Sequence, residues 1–325
     1  MRRLCADRSA VDASFGPIST GHPACNRPSR LRLGTRGRDR TGVAAVTIAP
    51  MTDDFDDTRL IAPEHETYNA RLIKRVDHTD DLATFWVKFD GEPTHFDPGQ
   101  YMTIGVYADG KIVQRPYSVA SPPEVSGTEG YEFYVRLVPI LRFTTLLWRL
   151  PLGHPMRMIG PKGRFLLEPD DQRTHLFVST GTGIAPFMAM MRQHLIEGQP
   201  RRVVMLNGSS YVDELGYRDT LEGWERDGTY PVTYVPTISR PNDPRNAGWE
   251  GRTGRVENIV LDVCRELDLR PERTVVYICG NPDMIINVEE LLMDAGFPEF
   301  HVKKELYWPK GKTALSPDAV GAAAG

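Results

Sequence analysis

Near residue 169 the hydrophobic pattern of this chain changes period, and no single sheet or bundle accommodates both halves. Between 68 and 168, apolar and polar residues alternate in short runs at 68–76, 82–89, 101–106, 131–137 and 156–159. A period of two puts the apolar residues on one face of a strand. Turn signals separate these runs: Asp97-Pro98-Gly99, Asp109-Gly110, Ser121-Pro122-Pro123 and Gly160-Pro161-Lys162-Gly163. Many short strands with such turns predict an antiparallel barrel or sandwich, interrupted once by a helical pattern at 143–150. Beyond Pro169 the chain alternates strands, at 175–179, 202–206, 232–236, 275–278 and 301–305, with helical patterns at 185–197, 213–224, 256–266 and 283–294. That alternation predicts a parallel sheet with helices on its faces. The boundary falls at 168–173.

The 325 residues suffice for two ordinary domains. Their net charge of −4 averages two unlike polypeptides. Residues 1–50 hold nine Arg, no Lys and three Asp, whereas the remainder holds 30 basic and 40 acidic residues. The first fifty residues carry no apolar period that could bury a face, so they are expected to be a disordered leader. Three origins compete: an upstream reading-frame extension with the start at Met51, an organellar transit peptide, or a functional basic arm. The protein is expected in the cytoplasm, or in an organelle if 1–50 is a transit peptide. No stretch reaches the roughly 18 to 20 apolar residues of a membrane helix, and membrane insertion is not expected. The four cysteines form no Cys-x-x-Cys pair and the eight histidines no metal-binding spacing, so no protein-bound metal is expected.

Three motifs carry chemistry. In Thr180-Gly181-Thr182-Gly183, followed by Ile184-Ala185-Pro186, a strand runs through glycines into a helix. Glycines let a backbone approach a diphosphate, and a helix amino end supplies amide donors. A tight turn would have the same composition, and the motif departs from Gly-x-Gly-x-x-Gly. Cys279-Gly280-Asn281-Pro282 repeats the strand–glycine–helix pattern at the carboxyl end of a predicted parallel strand, where open α/β sheets bind ligands. A lone Cys279 there is ordinarily a packed small residue. In Arg115-Pro116-Tyr117-Ser118 a cation, an aromatic face and a hydroxyl fall within four residues of an extended segment. They suit a phosphate, a planar ring and a ring nitrogen. A surface Arg beside a core Tyr would read the same.

In this order and at these separations, over roughly 68–308, the three motifs resemble the ferredoxin–NADP reductase family, bacterial type. The resemblance implies an FAD-binding six-stranded antiparallel barrel at 51–168 and an NAD(P)-binding α/β domain at 169–308, and the Ala-, Gly- and Pro-rich composition of 309–325 predicts a flexible tail. It implies that Arg115 meets the FAD diphosphate, that Pro116 and Tyr117 line the flavin, and that Ser118 lies near flavin N5. The family's second diphosphate loop corresponds to Arg142-Phe143-Thr144-Thr145, with Arg142 where a Gly is expected and the Thr144 and Thr145 amides and hydroxyls still able to serve. Thr180, Gly181, Thr182 and Gly183 would receive the nucleotide diphosphate, with Cys279 and Gly280 beside the nicotinamide. Glu305-Leu306-Tyr307-Trp308 matches the family's terminal Glu-x-Tyr. Tyr307 would cover the flavin face that the nicotinamide must occupy, and Trp308 would stack on adenine. Ser118, Cys279, Glu305 and Tyr307 would shape the reacting site.

The resemblance also implies function: a ferredoxin–NADP(+) reductase passing hydride to flavin N5 and single electrons to ferredoxin or flavodoxin, acting as a monomer. Arg240 and Arg255 match cations around the NADP 2′-phosphate, while Ser210 replaces a third with an uncharged donor, so NADP(H) is favoured over NAD(H). Arg142, Arg149, Arg157, Lys162 and Arg164 would offer a basic face to an acidic carrier, and no nucleic-acid module is present. The alternatives are the reductase component of an oxygenase served by a separate ferredoxin, and a flavin-binding sensor without turnover.

Overall fold

The computed structural model describes residues 61–306. The expectations for 1–50, for Tyr307 and Trp308, and for the tail lie outside the described residues.

The first half is built from β1 (Ala70–Thr79), β2 (Leu82–Phe89), β3 (Tyr101–Ala108), β4 (Lys111–Ser118), α1 (Pro123–Glu129), β5 (Tyr131–Arg136), α2 (Arg142–Arg149) and β6 (Pro155–Lys162). Six antiparallel strands lie in the order β4-β3-β6-β1-β2-β5. The edges meet just past β4, where the Ala120 N–H donates to the Glu132 carbonyl at 2.8 Å and curls the sheet into a barrel. Asp109 and Gly110, at φ 50° and 74°, turn β3 into β4 as a two-residue hairpin. Alternation sends Leu72, Phe85, Val87, Met102, Ile104, Phe133, Met156 and Met158 into the barrel core, which α2 plugs with Phe143, Leu146 and Leu147.

The second half comprises β7 (Thr174–Thr180), α3 (Ala185–Ile196), β8 (Val203–Ser209), α4 (Arg218–Asp227), β9 (Val232–Ile238), β10 (Arg252–Thr253), α5 (Val256–Glu266), β11 (Thr274–Cys279), α6 (Pro282–Asp294) and β12 (Val302–Glu305). All six strands are parallel, in the order β10-β9-β8-β7-β11-β12. Leu176 and Val178 pack under α5 and α6, whereas Phe177 faces α3 and α4. The chain runs outward from β7 through β8, β9 and β10, then crosses back to β11. Hence the strand order reverses between β7 and β11, the place where open α/β sheets take ligands.

Three local expectations are corrected. Ser121-Pro122-Pro123, read as a turn, opens the helix α1, because a proline at the first helical position lacks only a donor that the helix leaves unused anyway. The first half therefore holds two helices rather than one. Gly160-Pro161-Lys162 lies inside β6, where a Cβ on Gly160 would come within 2.4 Å of the Met102 sulfur. The helix expected at 213–224 divides into a 3-10 turn at Val212–Glu214 and α4. The break falls where Gly216 passes Tyr134, at a spot where a Cβ would meet the phenol oxygen at 2.4 Å.

Candidate functional site

β4 runs along the barrel edge and delivers Arg115, Pro116, Tyr117 and Ser118 to a cavity of about 190 Å³. Across it lie Tyr134 and Arg136 from β5, then Val138, Leu141 and Thr144, while Thr182 and Ala185 enter from the turn and helix that follow β7. Arg115 is exposed, and its guanidinium contacts the Gln114 carbonyl. Tyr117 packs on Phe143 with ring centroids 5.9 Å apart, and burial pushes its phenol up, so it stays protonated. Ser118 is 3% exposed and donates its hydroxyl to the Glu305 carboxylate at 3.0 Å, joining β4 to the last strand of the other sheet. Burial raises the Glu305 carboxyl to about 7, against the lowering pull of the Ser118 hydrogen bond.

The Thr144 hydroxyl is spent inside its own loop: it donates toward the Val138 and Leu141 carbonyls and accepts from the Val138 N–H. Thr145 donates to the Arg142 carbonyl, and the amides of Thr144 and Thr145 both point at the Leu141 carbonyl. The donors that helix geometry leaves over at this end are the first-turn amides of Arg142 and Phe143. The Arg142 side chain is ion-paired with Asp109.

A second cavity, of about 640 Å³, opens at the carboxyl ends of the parallel strands. Glu305, Cys279 and Ser179 lie in one register row across β12, β11 and β7, and Asn207 continues it on β8, donating to Ser179 at 2.9 Å. Gly181 through Ile184 form a 3-10 turn before α3, so the helix starts later than the glycines. Gly181 sits at φ 51° with open space where a side chain would be. Gly183 is different: a Cβ there would lie 2.3 Å from the Cys279 carbonyl oxygen. Gly280 at φ 145° crowds the Thr180 hydroxyl in the same way, and that hydroxyl accepts from the Asn281 N–H at 3.0 Å. Two glycine loops are thus locked together, with Cys279 buried beneath them.

Ser210 and Arg255 line this cleft. Ser210 donates its amide to Glu214 at 3.2 Å, and Arg255 stands at the N-cap of α5. Arg240 lies outside the lining and hydrogen-bonds the Tyr211 hydroxyl at 2.5 Å. The three sequence motifs single out neither Arg245, Arg136 and Glu214 nor the capping role of Asn281. Arg245 stacks 3.7 Å from the Tyr211 ring centroid and pairs with Asp213. Asn281 caps α6 through the Asp283 and Met284 amides. Arg136 and Glu214 face each other across the cleft at 2.9 Å. The Asn-Pro dipeptide before an apolar run was the available signal for the Asn281 cap. The others meet partners remote in sequence and leave no local pattern.

Over 253 residues the chain is 34% identical to ferredoxin–NADP reductase B of Sorangium cellulosum, a match covering 74% of this chain and 98% of that one. The chain belongs to the ferredoxin–NADP reductase family. Residues 69–166 match the oxidoreductase FAD-binding domain and residues 177–290 the oxidoreductase NAD-binding domain, so this family member is a two-module oxidoreductase. Reductase component 1 of terephthalate 1,2-dioxygenase from Comamonas is 30% identical over 286 residues, covering 87% of this chain and 78% of that one. The fold is that of a ferredoxin NADP+ reductase from Neisseria gonorrhoeae, solved with FAD and NADP: TM-score 0.65 at 23% identity, over 75% of this chain and 100% of that one. Among the described residues no helix is long and apolar enough to cross a membrane.

Proposed function

We propose that the protein is an FAD-dependent reductase moving electrons between NADPH and an acidic one-electron carrier, ferredoxin or flavodoxin. The observation that carries this reading is a shared wall: Arg136, Val138 and Thr182 line both the cavity beside Arg115 and the cleft at Gly181. Ligands in the two would be neighbours, and proximity of the reacting rings is the chief requirement of hydride transfer. When bound, FAD supplies the chemistry, accepting hydride from the nicotinamide at N5 and releasing electrons singly.

The chain supplies binding and orientation. Arg115 and the first-turn amides of Arg142 and Phe143 would hold the FAD diphosphate, a dianion suited to a guanidinium and a helix amino end. Tyr117 would pack on the isoalloxazine. Ser118 and Glu305 would meet the reacting edge, and a carboxyl raised to about 7 can hold or release a proton there near neutral pH. The open φ-positive turn at Gly181 suits the dinucleotide diphosphate, Cys279 and Gly280 would border the nicotinamide, and Tyr307 and Trp308 would complete that face. Lys162 and Arg164, exposed on either side of Gly163, are close to Glu305, since a Cβ on Gly163 would lie 3.5 Å from its carboxylate. They would steer an acidic carrier toward the site.

Preference for NADPH rests on Arg255 in the cleft and on Arg240 and Arg245 around Tyr211, the neighbour of Ser210. The test is kcat/KM for NADPH against NADH, and a preference for NADH overturns this part. The oxygenase-reductase reading draws on the likeness to the Comamonas protein. Cytochrome c reduction that depends on added ferredoxin and NADPH supports the ferredoxin reading. Failure with every free ferredoxin or flavodoxin, alongside rapid ferricyanide reduction, would favour a dedicated oxygenase partner.

A further inference from the structure

β5 is buried on both faces. Tyr131, Phe133 and Val135 enter the barrel core, so the alternate residues Glu132, Tyr134 and Arg136 point at the second sheet. A strand facing a protein interior would ordinarily carry apolar residues there. Here each polar group is matched instead. Glu132 accepts from the Tyr217 hydroxyl at 2.7 Å and from Arg192 at 2.8 Å. The Tyr134 hydroxyl donates to the Glu214 carbonyl at 3.0 Å and accepts from the Gly216 N–H at 3.1 Å. Arg136 donates to the Glu214 carboxylate at 2.9 Å and to Asp81 at 2.7 Å.

Every second residue of one barrel strand therefore grips the segment 214–217. The last contact reaches the nucleotide cleft, because the other oxygen of Glu214 accepts from the Ser209 hydroxyl at 2.6 Å and from the Ser210 amide at 3.2 Å. Arg136, Glu214, Ser209 and Ser210 all line that cleft. Both carboxylate oxygens are thus in use, one toward the flavin module and one toward the nucleotide loop.

We infer that Arg136 is a positioning residue for the dinucleotide: through Glu214 it fixes the Ser209–Ser210 loop, so that the barrel sets the geometry of the nucleotide site in the other module. This rests on the reading of the cleft as an NAD(P)H site. A glutamine at 214 has only one accepting oxygen, and it cannot serve Arg136 and the serine loop together. Glu214→Gln and Arg136→Ala should therefore have the same effect. The pair should also act as a unit, the double variant being no worse than either single one.

The test measures KM and kcat for NADPH with ferricyanide on the FAD-loaded protein, the dissociation constant of NADP+ by calorimetry, the melting temperature and the FAD content. Expected are increases of about 10-fold in KM and in the NADP+ dissociation constant for Arg136→Ala, Glu214→Gln and the double variant. Expected too are kcat within about two-fold, FAD content unchanged in Glu214→Gln, whose side chain does not line the cavity beside Arg115, and substantial rescue by Arg136→Lys. Unchanged KM in folded Arg136→Ala overturns the inference, as do a fall in kcat alone, loss of FAD from Glu214→Gln, or effects that multiply in the double variant. Should Arg136→Ala fail to fold, Glu214→Gln decides by the same criteria. A wild-type chain that holds FAD but binds neither NADP+ nor NAD+ removes the nucleotide reading, and this inference with it. A wild type that binds NADP+ with variants unaltered removes only the inference.

Discussion

At the scale of single residues, the Ser118–Glu305 hydrogen bond joins the two modules at the edge proposed to react. Glu305 ordinarily titrates near 4.5 and is raised to about 7 by burial. Between these values the folded chain keeps a proton that the unfolded chain has released, so Glu305 costs stability as pH rises from about 4.5 to about 7, and no further above that. Glu305→Gln removes this cost. The variant should gain melting temperature relative to the parent at pH 8 and not at pH 4, and should lose any limb near pH 7 in the kcat/KM profile. An equal shift at both pH values contradicts the assignment. On the proposal that Tyr307 covers the flavin face the nicotinamide must occupy, Tyr307→Ala should strengthen NADP+ binding and slow turnover; unchanged binding and turnover would refute that proposal. Tyr117 and Ser118 were legible because they sit beside Arg115 in one extended run, a local pattern that shows even though the partner of Ser118, Glu305, is 187 residues away. Glu214 was not, because its meaning lies in Arg136, 78 residues away.

At the scale of elements, most strands followed from apolar periodicity, and the misses have physical causes. α1 hid behind Pro122-Pro123 because proline both makes turns and starts helices, and only packing distinguishes the two. α4 starts late because Tyr134 intrudes at Gly216, a tertiary contact that no propensity encodes. Each of the two locked glycine loops yields a stability prediction. Gly183→Ala would press a methyl against the Cys279 carbonyl and should cost about 1–3 kcal/mol together with nucleotide affinity. Asn281→Ala removes the α6 cap and should cost about 1 kcal/mol with the flavin spectrum intact. Denaturant unfolding of both variants checks this, and equal, negligible losses would contradict the role given to either loop.

At the scale of the whole molecule, the change of period near residue 169 announced two modules, and the structure resolves them as an antiparallel barrel and a doubly wound parallel sheet. What periodicity could not announce is that β5 belongs to both. Its apolar residues complete the barrel, while Glu132, Tyr134 and Arg136 bind the second module with side chains that an alternating pattern marks as solvent-facing. Arg136 of this strand, with Val138 just beyond it and Thr182 from the second module, forms the wall that the two cavities share, and on the proposed function an FAD in one is reduced by a nucleotide in the other. The measurement that tests it most directly is the visible spectrum of the FAD-loaded protein during anaerobic titration with NADPH and, separately, NADH. Bleaching of the flavin band is expected near one equivalent of NADPH, with NADH less effective. A flavin that stays oxidised with both nucleotides would contradict it.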